Sequence, residues 1–239
     1  MEILKSTLNL KKRECNIKMR LVPYGGGWTH VYVSFDDSEE LFFIISGFGV
    51  DNLQTLLRAL YFLYPDNNDN EYSEHFMEYK YGIIGNDDGV ITKVVDIEDS
   101  HGKGAYCPIP WKTQFAWTDD INSVTWYIER TPDTSTDFDI TIKIDDNESD
   151  ESKHYEYTVP YKDMCYAVAD ACTKAIIKHG FRGYHASTYS EDMNIRYLLF
   201  IKSIALGNMD ALNMYPEKKG EGPKSDLMKE LELLLFDMS

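Results

Sequence analysis

Residues 138–180 read FDITIKIDDNESDESKHYEYTVPYKDMCYAVADACTKAIIKHG. Phe138 to Ile144 alternates apolar and polar side chains, the period of a half-buried strand. Asp145 to Glu151 is an acidic tip, and Tyr155 to Val159 resumes the alternation. At Tyr161 the period changes to that of a helix. Tyr161, Cys165, Val168, Cys172 and Ile176 fall on one stripe of a helix running to His179. Lys174, Lys178 and His179 lie near its C-terminal dipole. Gly180 fits the left-handed position beyond the helix end, with Phe181 placed to pack back on Ile176 as in a Schellman motif. The segment therefore predicts a hairpin followed by a helix packed on it.

The same order occurs upstream. Cys15, Ile17, Met19 and Leu21 alternate with polar partners in a predicted strand over 15–24, and Pro23 to Gly27 is a turn. Trp28 to Phe35 places His30, Tyr32 and Ser34 on one face and Val31, Val33 and Phe35 on the other. Asp36 to Glu40 is a second acidic tip. Leu41 to Ser46 is a continuous apolar run, the pattern of a strand buried on both faces. Gly47 to Asp51 opens a helix in which Asp51 is the N-cap and Gln54 stands where a capping box places Glu or Gln. Leu53, Leu56, Leu57, Leu60 and Leu63 are its stripe, and Pro65 to Asn70 is a loop. Segments 28–64 and 138–179 thus read as two ββα units, either a pseudo-duplicate sharing one sheet or a coincidence of order, because the residues themselves match poorly.

Between the units, Phe76–Ile84 and Gly89–Ile97 read as strands around a Gly85–Gly89 hairpin turn. Residues 98–122 read as irregular, and Val124–Glu129 as a further strand. In the C-terminal third, Gly183 to Tyr189 reads as a loop between helices. Ser190-Glu191-Asp192 starts a helix that continues over Met193–Leu206 and ends at Gly207. Residues 216–224 read as a mobile linker, and Ser225 caps an amphipathic helix over 225–236 with Leu227, Met228, Leu231, Leu234 and Leu235 as its stripe. Neither strand-to-helix connection returns to an obvious parallel strand, which disfavours a doubly wound fold. The expected class is α+β: a largely antiparallel sheet from two ββα-like units with helices on one face, and a helical C-terminal third, in a single domain over 1–239.

The 239 residues carry 24 Lys+Arg against 40 Asp+Glu, a net charge of −16. Seventeen Tyr, 11 Phe and four Trp supply apolar mass for a packed core despite that charge. No apolar run is long enough to span a membrane, so no membrane insertion is expected. Lys11, Lys12 and Arg13 follow the first apolar residues, which is not the pattern of an export signal, so a cytoplasmic location is expected. Cys15, Cys107, Cys165 and Cys172 form no C-x-x-C pair, and this lack of close pairing fits the expectation of a reducing cytoplasm. The charge is uneven. Residues 1–20 hold six basic and two acidic side chains, whereas residues 36–99 hold 15 acidic and three basic ones. A field of that sign repels phosphate backbones and speeds encounter with basic surfaces. The partner expected is a basic protein, and no nucleic acid.

Motifs for chemistry are sparse. Gly25-Gly26-Gly27 follows a strand, but no helix and no Lys-Ser/Thr follow it, so a plain turn is favoured over a phosphate loop. His101-Gly102-Lys103-Gly104 is an isolated surface turn. Cys107 has no neighbour that would lower its pKa. The acidic tips lack the spaced oxygen ligands of a calcium loop, and the six His are scattered, so neither a metal nor a cofactor is expected. His185 and Ser187 share a polar-aromatic loop without a nucleophile elbow. An enzyme assembled from His185, Ser187, Cys107 and His101 remains an alternative, as does an assembly component docking through the 225–236 helix.

Gly47 to Leu60 contains Gly49-x-Asp51-x-x-Gln54-x-Leu56-x-x-Ala59-Leu60. This pattern resembles a stretch in small bacterial proteins of the immunity-protein type, and the acidic, Tyr-rich α+β character is similar in style. The resemblance implies inhibition of a cognate toxin by direct binding, without catalysis. The candidate binding residues are Asp36, Asp37, Glu39 and Glu40 on the first tip and Asp145, Asp146, Glu148, Asp150 and Glu151 on the second. Exposed Tyr or Trp nearby would supply anchorage. Oligomeric state is not legible.

Overall fold

The alternation at 138–160 forms a hairpin of two ten-residue strands, Asp139–Glu148 and Glu151–Pro160, in the computed structural model. The structure describes residues 8–36, 38–46, 52–64, 83–85, 91–93, 112–118, 123–130, 136–148, 151–188, 193–212 and 224–238. Two antiparallel sheets carry the architecture. One has order β1-β2-β3, from Lys18–Gly25, Trp28–Ser34 and Leu41–Ser46. The other has order β4-β5-β6-β7-β8-β9. Its strands are Ile83–Gly85, Ile91–Lys93, Lys112–Thr118, Ser123–Arg130 and the two of the long hairpin. Among the described residues four α-helices complete the α+β fold: α1 (Asn52–Leu63), α2 (Tyr161–Thr188), α3 (Ile195–Leu206) and α4 (Leu227–Leu235). None is long and apolar enough to cross a membrane.

The order strand, strand, helix holds in both units, but their strands lie in two sheets and do not share one. The sheets meet through aromatic side chains. Phe43 of β3 packs edge-on to Trp117 of β6 and Trp126 of β7, with centroids 6.2 and 5.9 Å apart. Phe35, just past β2, stacks on Tyr157 of β9 at 4.1 Å. The inner faces of both sheets and the helices bury one contiguous cluster. At roughly 25 cal/mol per Å² of apolar surface, each such fully buried large side chain stabilises by about 1.5–3 kcal/mol.

The β1–β2 turn is a two-residue hairpin, since Gly25 pairs with Trp28 across Gly26 and Gly27. Both turn glycines have positive φ, 65° and 88°, as a type I′ turn requires. Tyr24 lies where the register shifts between Pro23 and Gly25. Pro23 is tolerated because β1 ends its sheet.

Several expectations change. Residues 112–118 are a strand, not irregular chain: Phe115 and Trp117 point into the core and Ala116 outward. β3 is not buried on both faces, because Phe42 is 46% exposed. The acidic stretch 145–151 is strand over 145–148 and at 151, since Asp145 pairs with His154 and Glu148 with Glu151 in the ladder; residues 149–150 lie outside the described residues. The helix from Tyr161 does not stop at Gly180. That residue (φ 66°, ψ 165°) kinks the chain, helical conformation resumes to Thr188, and Phe181 stays 39% exposed. The 183–189 loop is therefore helical over 183–188. α3 is capped by Asn194, whose side-chain oxygen accepts the N–H groups of Arg196 (3.0 Å) and Tyr197 (3.4 Å). Gly207, left-handed, ends it as expected. Asp226, one residue past the expected Ser225, caps α4 by accepting from Met228 and Lys229. The expected cap at Asp51, the loop at 65–70, the 86–88 turn, the helix start at 190–192 and most of the 216–224 linker lie outside the described residues. For the strands expected over 76–97, the described part is β4 paired with β5.

Candidate binding surface

The first acidic turn is short because its backbone closes on itself. Ser38 N–H donates to the Phe35 carbonyl (3.0 Å), and Phe35 N–H donates to Ser38 Oγ (3.2 Å). Asp36 takes a positive φ of 51°, which a small side chain able to bond its own backbone tolerates. Glu39 and Glu40 are exposed, and Glu40 Oε2 lies 3.8 Å from Arg20 of β1. Asp37 lies outside the described residues.

The second group is dispersed by the strand period. Asp146 follows Ile140, Ile142 and Ile144 on the inner face and is buried. Asp145 faces outward and pairs with His154 Nδ1 at 2.8 Å. Its neighbour Asn147 accepts from Ser152 Oγ (3.0 Å). Glu148 and Glu151 pair at the end of the ladder. Asp150 lies outside the described residues.

The first acidic turn approaches β9 of the hairpin, since Phe35 at its start packs there. Burial, first, holds the Tyr155 phenol of β9 above its ordinary pKa; Lys153 opposes the rise, and Asp146, Tyr157 and Glu39 add to it. The stack of Phe35 on Tyr157 one alternate position along β9 fixes that approach. Asp146 is turned inside, and Asp145 is the described carboxylate of the second segment that faces outward.

Beside them lies the outer face of β1–β2–β3. Val31, Val33 and Phe35 fill the inner side, so the alternate residues face solvent. A solvent face of an antiparallel sheet is ordinarily polar. Here it carries Tyr24, Trp28, His30, Tyr32 and Phe42. Tyr24 stacks on His30 (4.9 Å, 14°), His30 meets Phe42 edge-on (5.3 Å), and Phe42 meets Tyr32 (5.0 Å). The Arg20 guanidinium lies over the Tyr32 ring, 3.8 Å from its centroid. The sequence grouped His30 and Tyr32 on one face. The signal that would have exposed the whole ladder was the same period carried to Phe42 and across the Tyr24 irregularity.

A cavity of about 680 Å³ opens between β1 and α2, lined in part by Arg13, Lys18, Arg20, Tyr166, Asp170 and Lys174. Three of its cations hold carboxylates: Arg13 with Asp163 (2.5 Å), Arg20 with Glu40, and Lys174 with Asp170 (2.7 Å). Cys15 also lines it. Its thiol bonds the carbonyls of Ile17 (3.3 Å) and Asp163 (3.4 Å), and burial raises its pKa, which keeps it protonated and poorly nucleophilic. Cys165 is buried with its pKa pushed up to about 12.

His185 of the enzymatic alternative does not line that cavity. His185 is exposed on the segment of α2 beyond the kink, Ser187 is two residues further along that helix, and His101 and Cys107 lie outside the described residues. Among the described residues no group of three His, Cys, Asp or Glu is placed to hold a metal. In comparison with known proteins, no family model, curated protein or solved structure matches the chain.

Proposed function

We propose that this chain is an acidic protein-binding module of the immunity or inhibitor kind, acting in a bacterial cytoplasm, that neutralises a basic, nuclease-like toxin by direct binding. The observation that carries the reading is geometric: the stack of Phe35 on Tyr157 (4.1 Å) sets the first acidic turn, with Asp36, Glu39 and Glu40 exposed, beside the hairpin that carries the second acidic segment. A net charge of −16 supplies long-range steering toward a basic surface. Such a surface on a nuclease is shaped for phosphate, and carboxylates can occupy it in its place.

The test compares the wild-type chain with Glu39→Lys/Asp145→Lys in pull-downs from host lysate at low and moderate salt. The expected result is one basic protein retained near stoichiometry by the wild type. Purified, it should associate with the variant about tenfold or more slowly, with a flatter salt dependence. Equal on-rates for wild type and variant would overturn the reading. An assembly role has one observation in its favour: Leu227, Met228, Leu231 and Leu235 of α4 are exposed. A molar mass that rises with concentration in light scattering, and no longer does so in Leu227→Lys, would support that second reading.

A further inference from the structure

We propose that the outer face of β1–β2–β3 is the anchoring half of the binding surface and holds arginine side chains of a basic partner protein against Tyr24, His30, Tyr32 and Phe42. The inference rests on the acidic-module reading and names where, and by what chemistry, the partner is held. Three observations carry it.

First, the ladder is built and exposed. Its rings lie within 4.9–5.3 Å of one another across three strands. Register sets Tyr32 opposite both Arg20 and Phe42, and His30 opposite both Val22 and Ile44. Tyr24 is 73% and Phe42 46% exposed, although the core lies on the opposite face. Rings held by sheet register lose little side-chain freedom on binding, which makes them efficient anchors.

Second, the face already accommodates the group it is proposed to bind. The Arg20 guanidinium lies 3.8 Å from the Tyr32 ring centroid, well inside the range in which a cation is attracted to an aromatic face. Tyr24 and Phe42 present further ring surface of the same kind. Arginine fits better than lysine because its planar, weakly hydrated guanidinium stacks on rings.

Third, the charge around the face selects the sign of the partner. The turn that joins β2 to β3 carries Asp36, Glu39 and Glu40, all exposed, and the whole chain is at −16. A phosphate backbone would meet that field as repulsion, so base stacking by nucleic acid is the poorer occupant despite the aromatic platform. An arginine-rich protein surface meets attraction from the turn and ring faces from the sheet.

The experiment titrates the full chain with octa-arginine, octa-lysine and a dT octanucleotide, read by calorimetry and by aromatic NMR shifts. The wild type should bind octa-arginine more tightly than octa-lysine, with the Tyr24, Tyr32 and Phe42 signals moving. Tyr24→Ala/Phe42→Ala keeps the net charge and should weaken octa-arginine by about fivefold to thirtyfold. Glu39→Gln/Asp145→Asn should flatten the salt dependence and leave the ring shifts in place. If the ring variant binds as the wild type does while the carboxylate variant loses affinity, the anchor is overturned and the acidic reading stands. If octa-arginine does not bind the wild type, both are overturned. If the dT octanucleotide moves the same rings, the partner class is overturned. If octa-arginine binds the wild type and its rings do not move, the anchor is overturned without recourse to a variant.

Discussion

Lys202 stands in the middle of α3 with no solvent exposure, on a helix buried on nearly every side. Its Nζ donates to Thr173 Oγ1 (2.8 Å), the Leu234 carbonyl (3.0 Å) and the Phe236 carbonyl (2.6 Å). Three donors thus meet three acceptors, and two of these are carbonyls at the end of α4. The ammonium joins the C-terminal helix to the core. Replacing it by methionine leaves those carbonyls buried without a donor, and Lys202→Met should cost about 2–4 kcal/mol in urea unfolding at pH 7. Burial, only partly offset by Asp170, Cys172 and Asp237, lowers the Lys202 pKa from 10.5 to about 8. Between those values the unfolded chain binds the proton and the folded chain does not, so this residue's contribution to stability rises with pH across that window. Melts at pH 7, 8.5 and 10 should therefore show the wild type gaining on Lys202→Met as pH rises. A gap that narrows would contradict the sign. Tyr155 offers a second readout at this scale. Glu39→Gln removes a charge that opposes phenolate formation, so the Tyr155 pKa should fall in an NMR titration. An unchanged value would show that Glu39 does not act on this phenol.

At the scale of elements, α4 shows how far periodicity reaches. The sequence gives its stripe as Leu227, Met228, Leu231, Leu234 and Leu235. The structure buries Leu233 and Leu234 and leaves Leu227 (63%) and Leu235 (57%) exposed. Spacing locates an apolar face, but which part of it meets the core depends on where the Lys202 carbonyl bonds hold the helix end. Leu234→Ala should cost about 2–4 kcal/mol, and Leu227→Lys should stay within about 0.5 kcal/mol. Equal costs by thermal melt would show that the helix packs on its other face. Gly180 is a comparable case. Its φ of 66° with ψ of 165° is a region essentially reserved for glycine, while a Cβ there would meet no heavy atom within 4 Å. Gly180→Ala should therefore cost about 1–3 kcal/mol from backbone strain alone. The sequence located this glycine and its positive φ, but read a helix end where the chain only kinks, because the ψ that decides between them is set by tertiary packing. The strand at 112–118 was hidden for a related reason: the prolines at 108 and 110 pointed to irregular chain, and the short Phe115–Trp117 alternation did not outweigh them. The helical stripes of α1 and α2, by contrast, were legible residue by residue, since Leu53, Leu56, Leu57, Leu60 and Leu63 and then Tyr161, Cys165, Val168, Cys172 and Ile176 are all buried. Of the candidate site, the acidic segments were legible as composition. The burial of Asp146 and the aromatic ladder were not, because both depend on register across strands.

For the whole molecule the decisive quantity is charge. Even if all 24 Lys and Arg were paired, 16 carboxylates would be left without a cation. Described pairs such as Lys143–Glu156 (3.4 Å) and Lys162–Asp137 (3.2 Å) have side chains largely exposed, and pairs of that kind contribute about 0–1 kcal/mol each. Folding brings the excess carboxylates closer together than they are in the open chain, so self-repulsion opposes the native state. Salt weakens both effects, and the two have opposite signs. If the pairs dominated, Tm would fall as sodium chloride is added. With unpaired carboxylates in excess the repulsion wins, and Tm should rise by roughly 2–5 °C between about 10 and 150 mM, where the Debye length falls from about 30 to 8 Å. Glu39→Gln/Asp145→Asn lowers the excess by two charges and should rise less. A falling Tm would show that the net charge is locally neutralised, and a locally neutralised surface would also lack the field required to steer a basic partner. The same titration thus bears on stability and on association, because one excess of carboxylate opposes the fold and attracts the partner.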